Sequence, residues 1–132
     1  MKKKRIQVVC ALIKKNDRIF VAQRDYGEFK GLYEFPGGKI EKNETPEEAI
    51  VREIQEELDT TVKVEKFLLN EVYEYPGFIL DMDAFLVTPI KGNLTIEKGI
   101  HSDEKWINKK EGKSLEWCPA DKEIFFKIQD LM

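Results

Sequence analysis

The first part of the chain alternates apolar and polar blocks that predict short strands. Residues 6–13 form an apolar run rich in β-branched side chains, which is typical of a buried strand. An Asn-Asp turn signal at 16–17 precedes residues 18–24, which we predict to be the returning strand. A glycine-containing loop leads to a short extended stretch at 33–35. The Pro-Gly-Gly triplet at 36–38 is then expected to break any regular element.

The next segment carries the clearest helix signal. Thr45 suits the N-cap, Pro46 suits the first helical position, and Glu48 completes a capping box with Thr45. These signals predict a helix from Pro46 to Leu58 or Asp59. One arc of this helix is apolar, so we expect it to pack on a sheet.

The remaining pattern predicts further strands and a final helix. Strands are expected at 62–75 and 78–88, on either side of a Pro-Gly turn, with shorter strands at 94–97 and 105–108. Pro119 begins an amphipathic helix whose apolar face contains Ile124, Phe125, Ile128 and Leu131. This order of elements predicts an α/β fold, in which two helices pack on a mixed sheet.

Length and composition limit the class of protein. With 132 residues, the chain is predicted to form a single domain over residues 1–132. Its 42% hydrophobic and 36% charged residues are typical of a folded protein outside the membrane. A net charge of -3 gives no case for a nucleic-acid polymer as partner. The basic N-terminus lacks the long apolar region of a signal peptide, so we expect a cytoplasmic location.

An acidic stripe on the predicted helix carries the candidate chemistry. Glu53, Glu56 and Glu57 share one arc, beside the apolar arc, because residues three and four apart lie together on a helix. Stacked carboxylates repel one another, and a divalent cation such as Mg²⁺ removes that cost because it prefers oxygen ligands. A solvated glutamate-rich face is the alternative. Glycines at 37–38 and Lys39, just upstream, favour a phosphate site, because glycine allows close backbone approach to a ligand.

The spacing of these residues resembles a known family motif. From Gly38 the chain has five residues, Glu44, seven residues, Arg-Glu-Ile at 52–54, one residue and Glu-Glu at 56–57, which resembles the Nudix box. The preceding residues 34–41 are similar to the MutT-type branch. The resemblance implies a complete Nudix domain, with a mixed β-sheet sandwiched between α-helices. Where the family usually has glycine and an aliphatic residue, this chain has Asp-Thr at 59–60, and aspartate tolerates the left-handed conformation of a helix C-cap.

The resemblance also implies a mechanism. Nudix enzymes hydrolyse a phosphoanhydride in a nucleoside diphosphate linked to another group, using Mg²⁺ or Mn²⁺. By position, the three glutamates Glu53, Glu56 and Glu57 would bind the metal, with the Gly37 carbonyl as a further ligand. Arg52 would orient Glu53, and Glu44 would support the loop through hydrogen bonds.

The general base is left open between the helix and a later loop. Many relatives use a glutamate of the helix, whereas MutT-type enzymes can use one from a loop. In this chain Glu97 is the preferred loop candidate, followed by Asp103 and Glu104. His101, the only histidine, either touches phosphate or the base, or is an ordinary exposed loop residue.

Several residues are candidates for substrate contact. Arg24, at the end of a strand, matches a phosphate-contacting position of MutT-type enzymes, or is a solvated strand-end charge. Gly38 and Lys39 would approach the phosphates.

Aromatic and acidic residues are the candidates for the base. Tyr75 and Phe78, near a hairpin tip, would sandwich it, or pack in the core. Asp121 resembles the position that recognises the base edge in MutT-type and CTP-directed relatives. Its alternative role is the N-cap or a first-turn acid of the last helix, after Pro119.

These features predict a small-molecule nucleotide as substrate. The leading hypothesis is a nucleoside triphosphate pyrophosphohydrolase that acts on oxidised purine or cytidine-type nucleotides and cleans the nucleotide pool. The alternatives are an ADP-ribose or nucleotide-sugar pyrophosphatase and, in another class, a non-catalytic Nudix-like nucleotide-binding domain. The retained glutamates argue against the binding domain. The sequence leaves monomer and homodimer open.

Overall fold

The computed structural model describes residues 3–131, and the side chain of Leu131, predicted to lie on an apolar face, is outside the described part. Its elements, in chain order, are β1 (Lys4–Lys15), β2 (Arg18–Arg24), β3 (Tyr33–Glu34), β4 (Gly37–Lys39), α1 (Pro46–Leu58), β5 (Thr61–Glu74), β6 (Phe78–Lys91), β7 (His101–Ile107), α2 (Lys109–Ser114), α3 (Pro119–Ile128) and a 3₁₀ turn (Gln129–Leu131). None of the helices in this part is long and apolar enough to span a bilayer.

The strands form one mixed sheet built around β1. Strand β1 runs parallel to β6, from the pair Lys4–Phe78 to the pair Ile13–Val87, and β6 pairs antiparallel with β5. On its other edge β1 pairs antiparallel with β4 and with β2. Strand β2 then pairs with both β3 and β7. The central position of β1 explains its continuous apolar run, since both faces of the strand are covered.

Helices cover the two faces of the sheet. On one face α1 packs Ile50, Ile54 and Leu58 against alternate residues of β1, including Val9 and Ile13. On the opposite face α3 packs Ile124, Phe125 and Ile128 against a second cluster that includes Cys10 and Leu12. The predicted sandwich of a mixed sheet between helices is therefore confirmed.

Helix α1 begins and ends as its sequence predicts. Thr45 Oγ1 accepts a hydrogen bond from the Glu48 amide at 3.1 Å, and Glu48 Oε1 accepts one from the Thr45 amide at 2.9 Å. At the other end Asp59 is left-handed, with φ 48° and ψ 45°, and its amide donates to the Gln55 carbonyl at 3.1 Å. Asp59 thus takes the C-cap role that the family usually gives to glycine, at a cost of about 1 kcal/mol for the left-handed backbone.

The structure corrects the prediction at 36–38. Gly37–Lys39 does not break regular structure but forms β4, with Gly37 opposite Cys10. A side chain at Gly37 would put its Cβ 2.0 Å from the Val9 carbonyl oxygen. The glycine is therefore needed because the two backbones approach closely.

The later part of the chain needs further corrections. Residues 94–97 are not a strand but an irregular segment. A hydrogen bond from the Leu94 amide to Thr60 Oγ1, at 2.8 Å, holds the start of this segment in place. Strand β7 begins at His101, upstream of the predicted 105–108. The short helix α2 was not predicted.

Candidate active site

Arg52 organises the loop in front of α1. Its Nε and Nη2 donate to the two carboxylate oxygens of Glu44 at 2.7 and 2.9 Å, and Nη2 also donates to the Lys39 carbonyl at 3.0 Å. Nη1 donates to Glu53 Oε1 at 2.9 Å. The hydrogen bonds from Arg52, together with one from the Glu41 amide, lower the pKa of Glu44 to about 2. Arg52 thus ties the loop that contains Glu44 to the helix and also hydrogen-bonds to Glu53.

The three predicted metal ligands face one acidic cavity. Glu53, Glu56 and Glu57 line it together with Gly37 and Gly38. A side chain at Gly38 would put its Cβ 2.4 Å from the Glu53 carboxyl group, so this glycine makes room for the carboxylate. The side chains do not form a closed cage: within residues 3–131 no three acidic, histidine or cysteine side chains converge tightly enough to hold an ion as they stand.

Glu57 is the least solvated of the three glutamates. Its side chain is 11% exposed, and its Oε2 atom has no hydrogen-bond partner among the described residues. Burial, followed by the charges of Glu53 and Glu34, raises the pKa of Glu57 to about 9. A divalent cation fits this arrangement, because it supplies the missing partner and removes the repulsion between the carboxylates.

A buried ion pair that the sequence did not predict lies behind the cavity. Glu34 is buried and accepts hydrogen bonds from Nε of Arg24 at 3.1 Å and from its Nη2; it also lies 3.0 Å from His101 Nε2. Burial acts to raise the pKa of Glu34, but the hydrogen bond with His101 and the charge of Arg24 lower it below its ordinary value. The sequence feature that could have indicated this ion pair is the acidic residue Glu34 between the apolar Tyr33 and Phe35.

Arg24 is consequently not the solvated strand-end charge of the alternative prediction. Besides its bonds to Glu34, its guanidinium lies 5.0 Å from the ring centroid of Tyr26 and 5.9 Å from that of Phe29. Its side chain is 25% exposed. The remaining surface of Arg24 lines a cleft next to the acidic cavity.

This cleft, of about 240 Å³, has an apolar wall and a polar end. The apolar wall includes Phe78, Leu80 and Met82. The cleft shares several lining residues with the acidic cavity, namely Tyr26, Gly37, Gly38, Lys39 and Glu57. The two spaces are therefore adjacent. The exposed side chain of Lys39 and the half-exposed ring of Tyr26 lie between the cleft and the acidic cavity. Tyr26 was not among the residues predicted from the sequence.

Asp121 lies at the polar end of the cleft. It is buried in the first turn of α3, and its Oδ2 accepts a hydrogen bond from the Phe35 amide at 2.9 Å. It does not cap the helix, since the N-cap residue is Cys118. Burial, followed by the charge of Glu34, raises the pKa of Asp121 to about 8. A protonated Asp121 can both donate and accept hydrogen bonds.

The structure separates the two aromatic candidates near the hairpin tip. Phe78 lines the cleft. Tyr75 is buried behind it, with the two rings stacked at 4.9 Å, and the Tyr75 hydroxyl accepts from the Ala120 amide at 3.2 Å. Among the described residues, Tyr75 is not part of the cleft lining, so the prediction that both rings enclose a base is wrong for Tyr75: its ring packs in the core and supports Phe78.

The loop candidates for the general base are also separated. Glu97 lines the acidic cavity. Asp103 accepts a hydrogen bond from the Tyr33 hydroxyl at 2.8 Å, and Glu104 lines a different cavity, beside Trp106. The prediction of an exposed loop histidine is wrong, because His101 is buried.

Comparison with known proteins shows the family of the chain. The NUDIX domain family matches residues 3–129. The 8-oxo-dGTP diphosphatase of Proteus vulgaris is 40% identical over 101 residues, covering 75% of this chain and 90% of the relative. The CTP pyrophosphohydrolase of Escherichia coli K12 is 34% identical over 119 residues, covering 89% and 87%.

A solved structure shares both fold and sequence. The solution structure of the E. coli ORF135 protein superposes with a TM-score of 0.85 at 32% identity, covering 98% of this chain and 91% of that one. The predicted Nudix resemblance, fold and pyrophosphohydrolase class are confirmed by these matches, and Nudix hydrolases generally use a divalent metal. The chain belongs to the Nudix family.

Proposed function

We propose that this protein hydrolyses nucleoside triphosphates to the monophosphate and pyrophosphate with Mg²⁺, or Mn²⁺, as cofactor. One observation carries the proposal: the acidic cavity adjoins a cleft that has an apolar wall and Asp121 in its lining. A ligand with a polyphosphate at one end and a base at the other fits this shape. The relatives named 8-oxo-dGTP diphosphatase and CTP pyrophosphohydrolase support the same class of substrate.

The metal would be held by the helix. Glu53, Glu56 and Glu57 would provide carboxylate oxygens, and the Gly37 carbonyl would be a further ligand. When bound, the cation supplies positive charge to the phosphate oxygens and acidifies water. Arg52 keeps Glu53 in position through its 2.9 Å hydrogen bond.

The phosphates and the attacking water would be handled by residues around the cavity. Lys39 and Arg24 provide positive charge beside it, and Gly38 allows the phosphates to approach the backbone. Glu97 is the loop carboxylate that lines the cavity, so we propose that it accepts the proton of the attacking water. A glutamate of α1 is the alternative base.

Base preference would be set at the other end of the cleft. Phe78 offers an aromatic face to the base, and a protonated Asp121 offers both a donor and an acceptor to its edge. Such a pair suits the amino and carbonyl groups of cytosine as well as those of an oxidised purine. A substrate panel therefore has to distinguish a preference for cytosine from a preference for an oxidised purine.

The experiment is a substrate panel measured as kcat/KM. It compares ordinary, methylated and oxidised nucleoside triphosphates with ADP-ribose and a nucleotide sugar, for wild type and Asp121→Ala. We expect the triphosphates to be preferred, and Asp121→Ala to change the ratio between bases by about 10-fold or more, because alanine offers neither a donor nor an acceptor. Asp103→Ala is the matched control and should keep the wild-type preference. A uniform loss across all bases would contradict the role of Asp121, and preference for ADP-ribose would contradict the substrate class.

A further inference from the structure

His101 occupies a position between two carboxyl groups that have different roles. Its imidazole is buried at the start of β7, with Nε2 3.0 Å from Glu34 Oε2 and 3.9 Å from Glu57 Oε1. The Glu34 carboxylate is paired with Arg24, and an ionised carboxylate can only accept hydrogen bonds. His101 Nε2 is therefore the donor in the contact between His101 and Glu34. The histidine therefore lies between the Arg24–Glu34 ion pair, which lines the cleft, and the most buried glutamate of the acidic cavity.

The backbone of His101 also holds the loop that carries Glu97. The amides of Ile100 and His101 both donate to the Glu97 carbonyl, at 3.2 and 3.0 Å. The Asp25 amide donates to the Ile100 carbonyl at 2.9 Å. A register shift in β2, next to Arg24, accommodates this turn where it meets His101. The position of the Glu97 loop therefore depends on where the His101 side chain is anchored.

Two buried side-chain atoms of this cluster have no hydrogen-bond partner among the described residues. Within the described residues, His101 Nδ1 and Glu57 Oε2 are the buried side-chain atoms that lack a hydrogen-bond partner. Leaving buried polar atoms without partners destabilises the folded state. A purely structural core site would be expected to satisfy them. Glu57 lines the acidic cavity, so its unpartnered oxygen indicates that the cluster is arranged for a bound ligand rather than for stability alone.

We propose that His101 is a positioning residue that, anchored by its hydrogen bond to Glu34, fixes Glu57 and the Glu97 loop in the orientation that faces the acidic cavity. The inference rests on the proposed function, because it takes this cavity to be the metal site. The contacts run without interruption from Arg24 through Glu34 and His101 to Glu57. His101 therefore links the residues proposed to contact the phosphates with those proposed to bind the metal.

A pair of polar substitutions tests the role of the Nε2 donor. In His101→Gln the side-chain amide can reach the position of Nε2, whereas in His101→Asn it reaches only the position of Nδ1. Ser102→Ala is the matched control, because Ser102 is exposed and bonds to Gln23 on the same strand pair. For each protein, Mn²⁺ affinity without nucleotide is measured by electron paramagnetic resonance, and kcat and KM are measured with Mg²⁺. Urea unfolding is followed in parallel.

The proposal predicts a specific pattern. His101→Asn should weaken Mn²⁺ binding and lower kcat by about 10-fold or more, with a smaller change in KM. His101→Gln should recover most of both, and Ser102→Ala should match wild type. Equal impairment of the two His101 variants, or failure of His101→Gln to fold, would overturn the proposal, as would an Asn variant with wild-type Mn²⁺ affinity and kcat. If the wild type hydrolyses no nucleotide, the proposed function fails, while the Mn²⁺ measurement still tests the positioning role.

Discussion

Replacing Glu57 by glutamine is expected to stabilise the metal-free protein at alkaline pH. Burial and the charge of Glu53 raise the pKa of Glu57 from an ordinary 4.5 to about 9 in the folded state. The folded protein therefore holds this proton more tightly than the unfolded chain does. The resulting stabilisation is fully present below pH 4.5 and is lost as the pH rises toward 9.

The magnitude follows from the width of that pH window. Each pH unit within it costs up to about 1.4 kcal/mol, so the wild type should lose up to about 4 kcal/mol through Glu57 between pH 5 and pH 8. Glutamine keeps the neutral form at every pH and does not contribute to this loss. The difference in unfolding free energy between Glu57→Gln and wild type should therefore grow by up to that amount across the range.

Urea unfolding in the presence of a chelator, at pH 5 and pH 8, measures this difference. Glu56→Gln is the matched control, because the Glu56 side chain is 59% exposed, and its difference from wild type should stay nearly constant. Saturating Mg²⁺ at pH 8 should stabilise the wild type more than Glu57→Gln, because a ligand that binds only the folded state adds to its stability. The reasoning is refuted if the gap between Glu57→Gln and wild type does not widen with pH.

Three other substitutions have distinct expected outcomes. Gly38→Ala should lower kcat by about 100-fold with little change in urea unfolding, because its Cβ displaces the flexible carboxyl end of Glu53; unchanged kcat would contradict this. Gly37→Ala should instead lower the unfolding free energy by about 1–3 kcal/mol, because its Cβ meets backbone in β1; wild-type stability would count against it. Arg52→Lys should lower kcat by about 10-fold, since lysine cannot make the two-point contact with Glu44; full activity would refute the positioning role.

Local signals explain why α1 was predicted to within a residue. Thr45 and Glu48 form the capping box within one turn, and Asp59 ends the helix through contacts to Gln55, so both boundaries depend on nearby residues. The acidic stripe also follows from helical periodicity alone. Features determined by short sequence separations were therefore accessible before the structure was known.

The missed elements depend on distant parts of the chain. Strand β4 exists because Gly37 and its neighbours pair with β1, and α2 is a six-residue helix whose Gly112 leaves space for the ring of Phe125. Neither segment is long enough to show a detectable hydrophobic periodicity. The contact between Glu34 and His101 joins residues 67 positions apart. Only the fold brings them together.

Burial also decides between alternatives that the sequence left open. Tyr75 and Phe78 are both aromatic and close in sequence, yet only Phe78 lines the cleft, because the Tyr75 hydroxyl bonds to the start of α3. In the same way Asp121 differs from a solvated first-turn acid because it is buried against the Phe35 amide. The residue type predicts the chemistry that is available, and the packing determines which residue can use it.

The most direct measurement is pyrophosphate release from a nucleoside triphosphate, with and without Mg²⁺, by wild type and Glu57→Gln. The account predicts release that depends on Mg²⁺ in the wild type and a loss of more than about 100-fold in the variant, since metal ligation supplies several kcal/mol to the transition state. Because Glu57→Gln is expected to be the more stable protein when metal is absent, the loss cannot be attributed to unfolding. Equal turnover by both proteins, or turnover by the wild type that is unchanged by a chelator, would contradict the central claim.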